Sequence, residues 1–211
     1  MKTRDRILHI SLQLFNDRSE RSVTTNHIAA ELNMSPGNLY YHFRNKEAII
    51  FELFLQYEQR TREFLTASEE KAVTWQDIMG YFQAIARNIW DYRFLHRDME
   101  QLLNHDEKLL ERYRIFAQEV MRSGRHIMHL MKQSALIEAS EDELDALIIN
   151  IWVITTSWAP FLHSTAVFGS IATDLNQDMI KRGIRQVIHL LSPYLRGQAR
   201  DAVPATLAYY S

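Results

Sequence analysis

Residues 24–47 read TTNHIAAELNMSPGNLYYHFRNKE, and the reading of Pro36 and Gly37 within this stretch decides the fold. Both residues disfavour a helix interior, yet each side of them shows apolar residues at helical spacing. Thr24 suits the N-cap of a helix that carries Ile28, Ala29 and Leu32 inward. Asn33 suits a left-handed C-terminal cap, and Met34 packs into the turn. Ser35 can then cap a second helix with Pro36 at its first position, where the missing N–H would have had no partner anyway. The breakers therefore start a helix instead of ending one. Gly37, lacking a side chain, lets a large surface approach the backbone. Leu39 and Phe43, one turn apart, face a core. Ser35, Gly37, Asn38, Tyr41 and His42 fall outside, with Tyr40 partly packed. Asn45 can cap the following helix, which puts Lys46 at that helix's positive end.

Two short helices joined by a tight turn make a helix-turn-helix, whose second helix presents its N-terminal residues to base edges in the major groove. Asn38 can pair with an adenine edge through two hydrogen bonds. The hydroxyls of Tyr40 and Tyr41 and the ring of His42 can donate to phosphates. Lys46 at a helix start adds an ammonium to the helix dipole, which suits a phosphate. The expected DNA-facing set is Thr24, Thr25, Asn26, Ser35, Pro36, Gly37, Asn38, Tyr40, Tyr41, His42 and Lys46. The bland reading of the same stretch is a three-helix unit with no nucleic-acid role, in which the tyrosines only pack.

The rest of the chain continues the helical period. Ile7, Leu8, Ser11, Leu12 and Phe15 form one stripe, Ile49, Ile50, Leu53, Phe54 and Tyr57 another, and Ile78, Phe82, Ile85 and Ile89 a third. Ser140 with Glu143 and Asp174 with Gln177 fit capping boxes, and Thr74 suits a cap. The β-branched run IINIWVITT (148–156) could be a strand, but it follows a cap and lacks a partner strand, so a helix is expected. These signals predict an all-α chain of about nine helices. A helix-turn-helix head is expected over residues 1–45, a larger helical body over 46–197, and an irregular tail over 198–211, because Pro193 and Gly197 stand where a last helix would end.

Composition narrows the function. The 211 residues carry a net charge of −2, so the whole molecule is no general polyanion binder; residues 1–50 sum to +2 and the remainder to −4. With no cysteine, disulfides and thiolate metal sites are excluded, and a reducing compartment fits. The opening residues lack a secretory pattern. Residues 146–173 contain no Asp, Glu, Lys or Arg, a span long enough for a bilayer. Asn150, Thr155, Thr156, Ser157, Pro160 and His163 within it would be costly in lipid, so a core or subunit interface is expected instead. His126 and His129 could share a metal on one helix, but no third ligand accompanies them, and no metal or cofactor is expected. No nucleophile elbow, phosphate loop or HExxH pattern points to an enzyme.

Residues 24–50, TTNHIAAELNMSPGNLYYHFRNKEAII, resemble the DNA-binding head of the TetR (tetracycline repressor) family of bacterial regulators. Thr24, Ala29, Gly37, Leu39, Tyr40, Phe43, Lys46 and Glu47 stand where that family's pattern expects them. Asn38 varies a position that is often Thr or Ser. The likeness covers roughly residues 5–54, by the same helix-and-turn pattern. Residues 94–116, FLHRDMEQLLNHDEKLLERYRIF, are similar to one subgroup of the family's C-terminal domains. The resemblance implies an all-helical homodimer in the bacterial cytoplasm, without enzymatic activity. Its two heads would reach successive major grooves of a palindromic operator, as a repressor released by a small-molecule ligand.

For the body, a cavity between helices is the place for such a ligand. Phe82, Ile85, Phe116, Trp152 and Thr156 are the candidate lining, and their aromatic, neutral character would favour a hydrophobic effector; core packing is the bland alternative. The last two long helices carry Leu147, Ile151, Ile154, Ile180, Ile184, Val187, Ile188 and Leu191, which across a two-fold axis would make a four-helix dimer interface. Two other functions stay open: a regulator with no small-molecule effector, switched by a protein partner or acting as an activator, and a helical interaction protein that binds no DNA.

Overall fold

The computed structural model describes residues 2–65, 72–165 and 176–210. Among them stand ten helices and, apart from one isolated bridge, no extended pairing. In chain order these are α1 (Thr3–Arg18), α2 (Thr25–Glu31), α3 (Pro36–His42), α4 (Lys46–Leu65), α5 (Trp75–Asp91), α6 (Arg93–His105), α7 (Glu107–Gln133), α8 (Glu141–Thr165), α9 (Gln177–Leu191) and α10 (Gly197–Tyr209). The all-α expectation holds. The run 148–156 is helical, inside α8, and its hydroxyls turn back on their own helix: Thr155 donates to the Ile151 carbonyl and Thr156 to that of Trp152. That keeps β-branched polar residues satisfied without a strand partner.

The local cap signals are met. Thr74 and Asp77 form a reciprocal box at α5, and Ser140 and Glu143 do so at α8. Asp174 lies outside the described residues; α9 is capped by Asn176, whose Oδ1 accepts from the Met179 N–H at 3.0 Å. The tail expected to be irregular is instead α10. Gly197 takes φ +51° and redirects the chain there. Ala199, Thr206 and Tyr210 are then buried, and the Trp75 indole donates to the Thr206 hydroxyl at 3.3 Å. The signal was faint because this stripe is built of small residues and is interrupted by Pro204.

The chain divides into two compact units, Met1–Arg60 with Tyr92–Tyr113, and Thr61–Asp91 with Arg114–Ser211. The first therefore extends beyond the expected head at residue 45. Its core holds Ile7, Phe15, Ile28, Leu39, Ile49, Leu53, Phe54, Phe94 and Leu95, all fully buried. The stripe of α4 explains the extension, since Tyr57 packs edge-on against Tyr92 and beside His96 of α6. The end of α1 and the start of α6 satisfy one another. Asn16 Oδ1 accepts the Phe94 N–H at 3.1 Å, and Arg97 donates to the Phe15 carbonyl at 2.7 Å. Helix ends leave such groups without internal partners.

In the second unit α9 packs on α8, α5 and α10. One contact is keyed by size: a Cβ on Gly183 would stand 2.8 Å from the Trp158 ring, whose Nε1 donates to the Met179 carbonyl at 2.7 Å. This packing engages, within the chain, the residues expected at the dimer surface. Leu147, Ile180, Ile184, Val187, Ile188 and Leu191 are already buried in the unit's own core, and Ile151 and Ile154 are packed against it. The strongly one-sided apolar face of α9 goes inward because α5 and α10 cover it. What α8 leaves outside is a different stripe, Ile149, Val153 and Phe161.

Candidate nucleic-acid interface

The recognition segment is assembled from its caps. The Thr24 hydroxyl accepts the His27 N–H, and His27 Nδ1 accepts the Thr24 N–H, both at 3.3 Å. This is a capping box with histidine in the place usually taken by Glu or Gln. Asn33 sits at φ +52°, as a left-handed cap requires. Ser35 Oγ accepts the Asn38 N–H at 3.2 Å, with Pro36 opening α3. Leu39 and Phe43 are buried and hold α3 from beneath.

Thr24, Asn26, Ser35, Pro36, Gly37, Asn38 and Tyr41 are then exposed together, with Thr25 and His42 half-buried among them. Tyr41 is 84% exposed, with its ring edge-on to His42. A large aromatic so far out of the core contributes little to the fold, which leaves it available to a partner. Tyr40 is half exposed, and its hydroxyl shares a 2.9 Å hydrogen bond with the Thr25 hydroxyl. That bond ties α3 to the first turn of α2 and fixes both hydroxyls at one spot. A Cβ on Gly37 would meet only the Ser35 hydroxyl oxygen, at 4.0 Å; nothing within the chain requires glycine there.

Lys46 differs from the others. Its ammonium lies 2.5 Å from Glu20 Oε1 and donates to the carbonyls of Glu20 (3.1 Å) and Val23 (3.2 Å). The Glu20 side chain is only 7% exposed. Stripping the cation from a buried carboxylate costs about 3–5 kcal/mol, whereas an exposed ion contact contributes about 0–1 kcal/mol. The sequence singled out Lys46 for its charge at a helix start; it had no signal for Glu20, 26 residues away. The pair borders an open cleft of about 280 Å³ lined further by Arg21, Glu47, Gln101, His105 and Asp106 over Ile50, Leu102 and Leu109. Arg4 bonds Glu52 at 2.7 Å and lies over the Phe43 ring.

Of the expected ligand lining, Phe116 and Trp152 come together, with ring centroids 6.3 Å apart, and the Thr156 hydroxyl is turned to the Trp152 carbonyl. Phe82 and Ile85 sit in the α5 core cluster instead. His129 lies 3.6 Å from Glu141, and among the described residues no group of three or more His, Asp or Glu could hold a metal ion.

Comparison with known proteins agrees with this geometry. Residues 7–53 match the family described as bacterial regulatory proteins, tetR family, and residues 56–203 match the one described as bacterial transcriptional repressor, TetR. A crystal structure of a TetR-family transcriptional regulator from Marinobacter aquaeolei VT8 is 40% identical over 100% of this chain and 99% of that one, with a TM-score of 0.89. The HTH-type transcriptional regulator UidR of Escherichia coli K12 is 38% identical over 58 residues, 28% of this chain and 30% of its own length. QacR of Staphylococcus aureus Mu50 is 35% identical over 63 residues, 30% of this chain and 34% of its own. The likeness to these two regulators thus spans about a third of their length.

Proposed function

The chain belongs to the TetR family of bacterial transcriptional regulators, and from that premise we propose that it is a homodimeric cytoplasmic repressor, released from a palindromic operator by a small hydrophobic ligand. The observation that carries the reading is the outer face of α3. Leu39 and Phe43 anchor the helix, while Asn38 and Tyr41 are exposed and His42 is half-buried beside them. Asn38 would read an adenine edge, and Thr25, Tyr40, Tyr41 and His42 would position the backbone. Thr24, Asn26, Ser35, Pro36 and Gly37 form the surface the phosphates approach.

Support for the dimer comes from α8. It is long and apolar enough to cross a membrane, and only 17% of its most apolar window is buried within the chain. Ile149, Val153 and Phe161 stand exposed along it with Ser157 and Pro160 between them, free of charge. A second copy of the same stripe across a two-fold axis would cover it. For the ligand, Phe116, Trp152 and Thr156 are the favoured contacts, with Phe82 and Ile85 as the further expected lining. A ligand can release DNA only by binding one head spacing better than the other. Selection of sites from random duplexes at near-physiological salt tests the reading. An enriched palindrome is expected; binding that stays weak and blind to sequence would sink it.

A further inference from the structure

We propose that the cleft between the turn before α2 and the junction of α6 with α7 binds a small zwitterion with a short apolar side chain, the chemistry of a free apolar α-amino acid. The cleft lies wholly within the first compact unit, and the proposal needs neither DNA nor the ligand of the body. Its volume of about 280 Å³ stands at the small end of the range for small-molecule sites. The floor is Ile50, Leu102 and Leu109, one apolar residue each from α4, α6 and α7. Charges of both signs surround it. Glu20 and Lys46 neutralise one another across 2.5 Å and add no net charge. Arg21, Glu47 and Asp106 have no partner of opposite charge among the described residues. The Nε of Arg21 donates to the Gln101 side chain, which orients the guanidinium and leaves its two terminal nitrogens, a pair suited to a carboxylate. Asp106 Oδ1 accepts the Leu109 N–H at 3.1 Å as a helix cap, and its second oxygen is left over. His105 Nδ1 faces the Gln101 carbonyl at 2.8 Å. A carbonyl only accepts, so Nδ1 carries the proton and Nε2 of the neutral ring is a further acceptor. Unspent donors and unspent acceptors around one apolar floor match a ligand that carries both charges. Its carboxylate would meet Arg21, its ammonium Glu47, Asp106 and His105, and its side chain the floor. A bare metal ion does not fit, because among the described residues no group of three or more His, Asp or Glu could hold one. Arg21 and Glu47 are exposed, so each ion contact alone is weak, and recognition depends on meeting both ends at once.

The test is calorimetric titration of the full chain, without DNA, at low and constant ionic strength. The probes are L-leucine, isoamylamine (leucine without its carboxylate) and isocaproate (leucine without its amine). Leucine is expected to bind saturably, one molecule per chain, with each truncated probe about fivefold weaker. Arg21→Gln should weaken leucine about fivefold and leave isoamylamine unchanged, because only the carboxylate contact is lost. Glu47→Gln and Asp106→Asn should each weaken leucine and isoamylamine about threefold and spare isocaproate. Asparagine still caps α7, and helical content should be preserved in all three variants. If Asp106→Asn fails to fold, Arg21→Gln and Glu47→Gln, both at exposed positions, decide by their opposite selectivity. No leucine binding into the millimolar range overturns the proposal. So does equal binding of all three probes, which would leave only an apolar cleft, and so does leucine binding indifferent to Arg21→Gln and Glu47→Gln, which would place the amino acid elsewhere. A chain that selects no operator would sink the regulator reading and leave this test intact.

Discussion

Asn38 is the residue where sequence discrimination is most concentrated. It is exposed, and only its backbone serves the fold, through the Ser35 cap. Asn38→Ala should therefore leave the melting temperature within a degree or two while costing about 1–3 kcal/mol at the selected site, with selectivity relaxed at one base pair per half-site. Competition binding against singly substituted duplexes measures this; uniform weakening over all positions would assign Asn38 to the backbone instead. A second residue governs acid stability. His96 is buried beside Tyr57, its Nε2 has no hydrogen-bond partner, and burial holds its pKa down to about 4 from 6.5. The folded state thus keeps it neutral, while the unfolded chain takes up a proton below about pH 6.5. Its contribution is whole above that pH and is lost as the pH falls toward 4, about 2 kcal/mol at pH 5. Urea unfolding at pH 7 and pH 5 should show the loss, and His96→Phe should remove most of it; an unchanged difference in the variant would clear His96.

Legibility at this scale followed sequence distance. Thr24, Asn33, Ser35 and Asn45 act on groups within a few residues, and each was readable as a cap before any packing was known. The same stretch misled where the partner was remote. Lys46 read as a surface cation because Glu20 and Val23 belong to another turn.

Among the elements, the contact of α8 with α9 turns on one missing methyl. Gly183→Ala in an exposed helix would gain about 1 kcal/mol from propensity. Here the added Cβ meets the rigid, hydrogen-bonded Trp158 ring at 2.8 Å, and overpacking of this kind costs about 1–3 kcal/mol. The expected outcome is a lower melting temperature, largely restored by adding Trp158→Leu. A rise in the single variant would show that α8 yields easily. The helix α10 teaches the converse about prediction. Gly197, Pro204 and four alanines look like a tail, and the segment becomes a helix because α5 and α9 offer a surface that small side chains can approach.

For the whole molecule the decisive quantity is what the uncharged run of α8 meets. Val153 is 51% exposed in the single chain, so Val153→Glu should spare the fold yet place a charge in the centre of the proposed dimer face. Sedimentation at micromolar concentration should show a dimer for the unaltered chain and a monomer for the variant, with binding to a palindrome falling at least tenfold as the two heads separate. A variant that remains dimeric would move the interface elsewhere. The sequence by itself determined the helical class, the placement of the caps and the two-helix reader, because these depend on contacts within about one turn and on a few residues of restricted backbone freedom. Only the tertiary structure decided that the apolar face of α9 is consumed within the chain while α8 keeps an outer stripe. The same holds for Lys46 facing Glu20, and for the last segment being ordered. Those outcomes depend on which surfaces meet, and a helix with apolar residues on several sides does not state in its sequence which side is covered first.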